Sequence, residues 1–181
     1  MKFTFFLLTI STLAILSSCA KEKEIISALK YDGNTYTFSH SLQEDWGAHT
    51  GTHYNMDFTL VGEHTFFEKK LNGSGETYFT LSQEIDFYVF MELFDADTES
   101  FVGGNFSYLG DDLFEDVDDE NVFRRLWFGT EEGEIFKAQN GSINLSIGTS
   151  GTYTISFQAT LDNNKEIRGT FIGIPEYTIG R

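Results

Sequence analysis

Apolar and polar residues alternate along much of the chain, and the alternation is clearest in the last third. Residues 143–147 and 153–161 place apolar side chains at every second position, and residues 166–174 repeat the pattern after an Asn-rich turn. Side chains of a strand point to opposite faces in turn, so a period of two predicts half-buried strands. We therefore expect three consecutive antiparallel strands over residues 141–173. Their predicted core side chains are Ile143, Leu145, Tyr153, Ile155, Phe157 and Phe171.

Less regular patterns predict the remaining elements. Residues 25–38 indicate two strands around a turn at Asp32, Gly33 and Asn34, which are residue types that hairpin turns favour. Residues 85–94 have apolar residues at both odd-numbered and even-numbered positions, so both faces of the strand are partly apolar, which is typical of a central strand. Further strands are predicted at 53–61, 77–81, 104–109 and 122–128.

Two segments are predicted to lie outside the strands. Gly47 and Gly51 favour a loop around Trp46, and residues 111–119 are compatible with one short helix. Turns recur about every 8–12 residues elsewhere, which is the signature of an antiparallel sandwich or barrel. The expected fold is an all-β, single-domain antiparallel β-sandwich over residues 29–181. A lipocalin-like up-and-down barrel is the alternative.

The first residues carry an export signal. Lys2 precedes an uncharged apolar segment that is too short to span a bilayer core of about 30 Å, and small residues follow it up to Cys19. Leu16, Ser17, Ser18 and Cys19 form a lipobox, in which the cysteine thiol receives diacylglycerol. The sequence thus predicts a lipoprotein signal peptide at 1–18, a lipidated tether at 19–28 and lipidation of Cys19, the chain's single cysteine.

Charge narrows the classes of partner. The chain has 28 acidic against 12 basic residues and a formal net charge of −16. A phosphate backbone requires a basic face, so we expect no nucleic acid partner. Anionic head groups would be repelled as well, so attachment to the membrane is expected through the N-terminal lipid alone.

The C-terminal segment contains a sequence pattern that is shared with a known group of proteins. Gly151, Tyr153–Phe157, Ile167, Gly169 and Gly173 spell "GxYTIxF" and "IxGxxxG". This ending resembles that of small uncharacterised cell-surface lipoproteins of Bacteroidetes, and the Lys/Glu-rich run after Cys19 resembles their tether. The resemblance implies an outer-membrane lipoprotein, facing the cell surface or the periplasm. Because the group has no established activity, it implies no mechanism.

The candidate binding residues are the two tryptophans. Trp46 and Trp127 each lie beside a predicted loop, where an exposed indole stacks on sugar rings or on protein partners. Packing within or at the rim of the core is the favoured interpretation of both residues, since tryptophan is highly buried on average.

No metal site is predicted. The acidic run near residue 115 contains oxygen ligands of the type that calcium takes, but it lacks the internal glycine of an EF-hand loop and is interpreted as a solvated surface. The same interpretation is given to Asp95, Asp97 and Glu99, and His40, His49, His53 and His64 are interpreted as solvent-exposed. If the acidic run did bind calcium, its candidate ligands would be Asp111, Asp112, Glu115, Asp116 and Asp118.

The function predicted from the sequence is non-catalytic. The chain has no Gly-x-Ser-x-Gly elbow and no glycine-rich phosphate loop, so we expect no cofactor. A binding or structural role at the outer membrane or cell surface, with a glycan or an envelope protein as partner, is favoured over an enzyme. The alternatives are a glycan-acting hydrolase that uses acidic residues, and a lipocalin-like carrier of an apolar ligand.

Overall fold

A computed structural model describes residues 27–49, 51–110 and 120–180. In these segments the chain forms thirteen strands and no helix. The strands are β1 Ala28–Tyr31, β2 Asn34–Thr37, β3 His40–His49, β4 His53–Val61, β5 Phe67–Leu71, β6 Thr77–Leu81, β7 Phe87–Asp95, β8 Gly104–Tyr108, β9 Val122–Thr130, β10 Ile135–Ile147, β11 Tyr153–Leu161, β12 Glu166–Gly173 and β13 Tyr177–Gly180.

Eleven of these strands form one sheet, in the order β13-β3-β4-β7-β9-β8-β10-β11-β12-β1-β2. β9 joins the two halves, because it pairs in parallel with β8 at one end and antiparallel with β10 at the other. β13 also lies parallel to β3. The large sheet is therefore mixed, whereas a purely antiparallel one was expected. β5 and β6 form a separate hairpin.

The large sheet curls so that its two halves share one core. Across the interior, the rings of Phe58 on β4 and Tyr153 on β11 lie 5.3 Å apart, and those of Tyr36 on β2 and Phe87 on β7 lie 5.2 Å apart. Such tilted aromatic pairs add to the free energy gained from burying their area. The all-β prediction is confirmed, and the curled sheet fits both a sandwich and a barrel-like description.

Most strands lie where the alternation predicts them. β10, β11 and β12 are consecutive antiparallel neighbours, and Ile143, Ile155 and Phe157 are buried as expected. Local turn chemistry explains the agreement: Asp32 and Gly33 have φ of 49° and 81°, the left-handed backbone that an Asp-Gly turn provides. The predicted central strand is β7, which lies between β4 and β9.

The loop predicted around Trp46 is wrong, because residues 40–49 form strand β3. Ser41 and Gln43 are buried there, and polar residues at buried positions hide a strand's alternation. The register with β4 shifts between Asp45 and Gly47, so Trp46 is an extra residue in a β-bulge. Glycine at 47 has φ of 73°, so it belongs to the bulge rather than to a loop.

Several predictions fall on residues outside the described segments. They are the signal peptide at 1–18, the lipidation of Cys19, most of the tether at 19–28, the helix at 111–119, and the metal ligands Asp111, Asp112, Glu115, Asp116 and Asp118. These stay predictions. Within the described residues, no helix has the length and apolar character needed to cross a membrane.

Candidate functional site

The candidate site lies on the outer face of β3, β4, β7 and β9, opposite the shared core. Alternation along β4 decides which residues reach it: Phe58 and Leu60 point into the core, while Asp57 and Thr59 point outward. Strand pairing then aligns the outward residues of neighbouring strands in rows across the sheet. Two such rows, one acidic and one aromatic, make up the site.

The first row brings three carboxylates together. Glu44 on β3 is paired with Asp57 on β4, Asp57 with Glu92 on β7, and Glu92 with Arg125 on β9. We call Glu44, Asp57 and Glu92 the carboxylate row. Directly opposite residues have Cβ atoms about 4.5–5.5 Å apart, so like charges here repel each other. Arg125 Nη1 donates to Glu92 Oε1 at 2.8 Å and neutralises only one end of the row.

Asp57 is the buried centre of the row, with 7% of its surface exposed. The Trp46 indole Nε1–H donates to its Oδ2 at 3.0 Å, and Asn55 Nδ2 donates to its Oδ1 at 3.3 Å. Burial raises the pKa of Asp57 to about 7, with a further contribution from the negative charge of Glu92 and a smaller one from Glu44; the two hydrogen bonds oppose this rise. Asp57 therefore exchanges a proton near neutral pH.

Glu92 contributes a second unusual oxygen. Its Oε1 is held by Arg125, but its buried Oε2 accepts no hydrogen bond from any described residue. A buried acceptor without a donor costs about 1–3 kcal/mol. A proton donor from a ligand, such as a hydroxyl group, would satisfy it.

The second row is apolar and lies beside the first. Leu42, Thr59, Phe90 and Trp127 are successive cross-strand partners on β3, β4, β7 and β9. The rings of Phe90 and Trp127 lie 5.5 Å apart and are inclined at 45°. The row thus presents two adjacent aromatic rings next to the carboxylates.

The β5–β6 hairpin forms a wall over this row. Its Phe67 and Phe79 pack on Tyr177 of β13 with ring centroids 5.5 and 5.2 Å away, which fixes the hairpin against the sheet. Between hairpin and sheet lies a groove of about 270 Å³. We call it the aromatic groove, and its lining residues are Leu42, Glu44, Thr59, Phe67, Phe79, Thr80, Leu81, Tyr88, Phe90 and Trp127.

Two details shape the groove. Gly129 faces Tyr88 across the sheet, and a Cβ on this glycine would lie 2.0 Å from Tyr88 Cε1, so the tyrosine ring needs a glycine beneath it. The buried Thr80 hydroxyl makes no hydrogen bond to the described residues. The groove therefore combines an aromatic floor with polar groups at Thr80 and Glu44.

The structure places both predicted tryptophans on this outer face. Trp46 is 41% exposed and covers Asp57 through its hydrogen bond. Trp127 is half-buried in the groove, with Arg125 Cζ and Lys137 Nζ at 5.6 and 5.5 Å from its ring centroid. Both residues lie within strands, not beside loops as expected.

The carboxylate row was missed by the sequence analysis. Its members are 48 positions apart from end to end, and only the pairing of β3, β4 and β7 makes them neighbours. One signal was available for two of them: Asp57 and Glu92 each lie between apolar core residues of a predicted strand, whereas the strand that holds Glu44 was expected to be a loop. That signal marks an outward position but not its neighbours.

His53 corrects the interpretation of the histidines as solvent-exposed. It is fully buried at the start of β4. Its Nδ1 lies 2.9 Å from Thr52 Oγ1, and its Nε2 lies 3.1 Å from the carbonyl oxygen of Glu120. This histidine connects the start of β4 to the residues before β9, which is a structural role.

Asp95 likewise corrects the interpretation of residues 95–99 as a solvated surface. It is 3% exposed, and its Oδ2 accepts the backbone N–H groups of Val102 and Gly103 at 2.8 and 2.7 Å. Its Oδ1 accepts the N–H of Asp97 at 3.0 Å. The carboxylate therefore organises the loop between β7 and β8.

Among the described residues, no group of three or more histidine, cysteine, aspartate or glutamate side chains is arranged to hold a metal ion. The carboxylate row is not such a group, since its residues form a line along neighbouring strands. Comparison with protein-family models, with curated proteins and with solved structures gives no match for this chain.

Proposed function

We propose that this protein is a lipid-anchored protein of the bacterial outer membrane that binds a saccharide in the aromatic groove without catalysing its conversion. The observation that supports this most directly is the juxtaposition of Phe90 and Trp127 with the carboxylate row on one face. Sugar rings have an apolar face of C–H groups, which stacks on aromatic rings, and hydroxyl groups, which donate to carboxylates.

The groove fits a small portion of such a ligand. Its volume of about 270 Å³ lies just below the usual range for ligand pockets, so it suits one ring of a longer chain. Glu44 provides an acceptor at the groove, and the Thr80 hydroxyl has no protein partner among the described residues. A sugar hydroxyl can donate to the Glu44 carboxylate, and it can supply the hydrogen-bond partner that the Thr80 hydroxyl does not have among the described residues.

The location rests on the lipobox at Leu16–Cys19. Lipid on Cys19 holds the domain at the membrane, and two or more acyl chains give stable attachment. A polar tether between the lipid and β1 leaves the outer faces of the sheet accessible to glycans of the envelope or of the surroundings.

The test is glycan binding by the full chain in a neutral detergent. A glycan array identifies the ligand, and calorimetry then compares Trp127→Ala with the wild type. We expect at least a tenfold loss of affinity, because the stacking surface is gone. Phe66→Ala is the matched control, since Phe66 is an exposed aromatic residue outside the groove lining, and we expect it to bind as the wild type does.

Two results would refute the proposal. The first is that the full chain binds no glycan on the array. The other is an equal loss of affinity in the Trp127 and Phe66 variants, since a specific groove cannot produce that result. Trp46→Phe leaves Trp127 as the single indole, so a ligand-induced change in its fluorescence reports groove occupancy directly.

Glycoside hydrolysis is the second candidate, and the raised pKa of Asp57 favours it. Retaining glycosidases use a protonated and an ionised carboxyl about 5–5.5 Å apart, and opposite residues on paired strands such as Asp57 and Glu92 have comparable spacing. Against this, Asp57 is buried beneath Trp46 and Glu92 is bound to Arg125. An assay for released reducing ends distinguishes the two functions. If the wild type releases reducing ends and Asp57→Asn still binds the glycan but releases none, the protein is a glycoside hydrolase and not only a binding protein.

A further inference from the structure

A second depression lies on the outer face of the other half of the sheet. It has a volume of about 1010 Å³ and extends over six neighbouring strands, from β8 through β10, β11, β12 and β1 to β2. With strands about 4.8 Å apart, it is about 24 Å wide. We call it the polar depression, and it is separate from the aromatic groove, with which it shares no lining residue.

Seven of its thirteen described lining residues carry neutral hydrogen-bonding side chains. They follow cross-strand rows, as in the pairs of Asn105 with Asn144 and of Ser156 with Thr170. Asn144 Nδ2 donates to Asn105 Oδ1 at 2.6 Å, and the Ser156 and Thr170 hydroxyls lie 3.3 Å apart. Amides and hydroxyls both donate and accept, so this surface suits a ligand rich in hydroxyl groups.

Two cations lie at the same place. Lys30 on β1 and Arg168 on β12 are directly opposite each other, and both line the depression. Like charges in directly opposite positions destabilise a sheet. Among the described residues, no carboxylate lines the depression and neither cation lies within 4.0 Å of an acidic group. Glu166 shares the face, two residues before Arg168, but lies outside the lining.

This arrangement stands out in a chain with a net charge of −16. A protein that needed only solubility would gain from a carboxylate beside each cation, and it has many carboxylates elsewhere. At physiological ionic strength the Debye length is about 8 Å, so distant negative charges are screened more strongly than the adjacent pair is. An anion between Lys30 and Arg168 would turn their repulsion into two attractions.

We propose that the polar depression binds an acidic oligosaccharide, with a carboxylate or sulfate group between Lys30 and Arg168 and its hydroxyl groups on the amide and hydroxyl rows. The charge pair selects the anionic group, the neutral lining recognises the hydroxyls, and the width of the depression accommodates several sugar units. This site is independent of the aromatic groove and goes beyond the function proposed for it.

The experiment measures binding by the full chain in a neutral detergent at about 150 mM salt. The carboxylate probe is an oligogalacturonate, with its methyl-esterified form as the uncharged control. The sulfate probe is a sulfated dextran oligomer, with dextran as its control. We expect one charged probe to bind and its uncharged counterpart to bind at least tenfold more weakly.

Variants then locate the site. Lys30→Gln combined with Arg168→Gln should lower the affinity for the charged probe at least tenfold, whereas Arg168→Lys should keep most of it because the charge stays. Lys69→Gln with Lys70→Gln removes two cations from the β5–β6 hairpin and is the matched control for net charge. It should bind as the wild type does.

A stability measurement separates binding from misfolding. Removing a repulsive pair should leave the unliganded melting temperature unchanged or higher in the Lys30 and Arg168 double variant. The proposal is overturned if neither charged probe binds, if the uncharged forms bind equally well, or if the Lys69 and Lys70 variant loses as much affinity. Loss of binding in Trp127→Ala alone would affect the groove and leave this site standing.

Discussion

The two outer faces of the sheet share one core but treat their charges in opposite ways. On β3, β4 and β7, carboxylates are placed side by side, and Asp57 is buried beneath Trp46. On β12 and β1, Arg168 and Lys30 are also placed side by side, yet both remain exposed in an open depression. Like charges meet on both faces, but only the first face removes one of its charges from water.

The difference shows that burial, more than proximity, determines how a like-charge cluster is relieved. A buried carboxyl is relieved by keeping its proton, because desolvation disfavours the ionised form. An exposed Lys–Arg pair keeps its charges, and an anion from solution relieves it instead. The first face is therefore sensitive to pH and the second to anionic ligands.

The largest expected effect is on the core that both faces share. Phe157 on β11 is 4% exposed, and its ring lies 6.4 Å from that of Phe38 across the interior. Phe157→Ala should cost about 3–5 kcal/mol of unfolding free energy, from lost burial and the cavity that remains. A denaturant melt measures it, with the exposed Ile147→Ala as control. A cost below about 1 kcal/mol would mean that the two faces do not depend on one core.

The next effect is the pH dependence of the acidic face. The pKa of Asp57 is raised from 3.8 to about 7, so between these values the native state holds a proton that the unfolded chain has released. The contribution of Asp57 to stability therefore falls as the pH rises from about 4 to about 7, by up to about 4 kcal/mol, and does not recover above that range.

Asp57→Asn should remove this decline, because an amide does not titrate. Urea melts at about pH 4, 5.5 and 8 compare it with the wild type, and the exposed Glu134→Gln serves as the control for loss of one carboxylate. An unchanged slope in Asp57→Asn would show that the burial of this carboxyl does not set the pH dependence.

A smaller effect on stability is expected at Asp95. This carboxylate is buried like that of Asp57, but it accepts backbone N–H groups and does not lie in the carboxylate row. Asp95→Ala leaves the N–H groups of Val102 and Gly103 without their acceptor, and each such charge-assisted bond is worth about 1.5–3 kcal/mol. We expect a loss of about 3 kcal/mol at neutral pH, the lower end of the sum for the two bonds. Asp97→Ala is the exposed control in the same loop and should cost less than half as much. Equal costs would contradict a special role for Asp95.

The smallest effect on folding is expected at the anchor. Cys19→Ser removes the thiol that would carry the lipid, so incorporation of a labelled fatty acid should be abolished while both faces keep their ligand affinities. The melting temperature of the folded domain should not change. Label retained on the Cys19→Ser protein would contradict the lipoprotein assignment. An altered ligand affinity of either outer face would show that ligand binding depends on the lipid anchor.

The strands with local alternation of apolar and polar residues were predictable from the sequence. Residues 141–173 form the expected three strands, since each side chain's face follows from its parity and each turn from residues such as Asn164, with φ of 63°. The same local logic predicted β4, β7 and the first hairpin. The predicted lipobox at Cys19 is local too, because a signal peptidase would recognise a short linear segment.

Which outward residues are neighbours depends on how distant strands pair in the folded protein. Glu44, Asp57 and Glu92 form a row because β3, β4 and β7 pair in one register, and a shift by one residue would turn them to the other face. β3 itself was missed, because buried Ser41 and Gln43 interrupt its pattern. Pairing between distant strands is set by how the whole core packs, and that information does not reside in any single segment of the sequence.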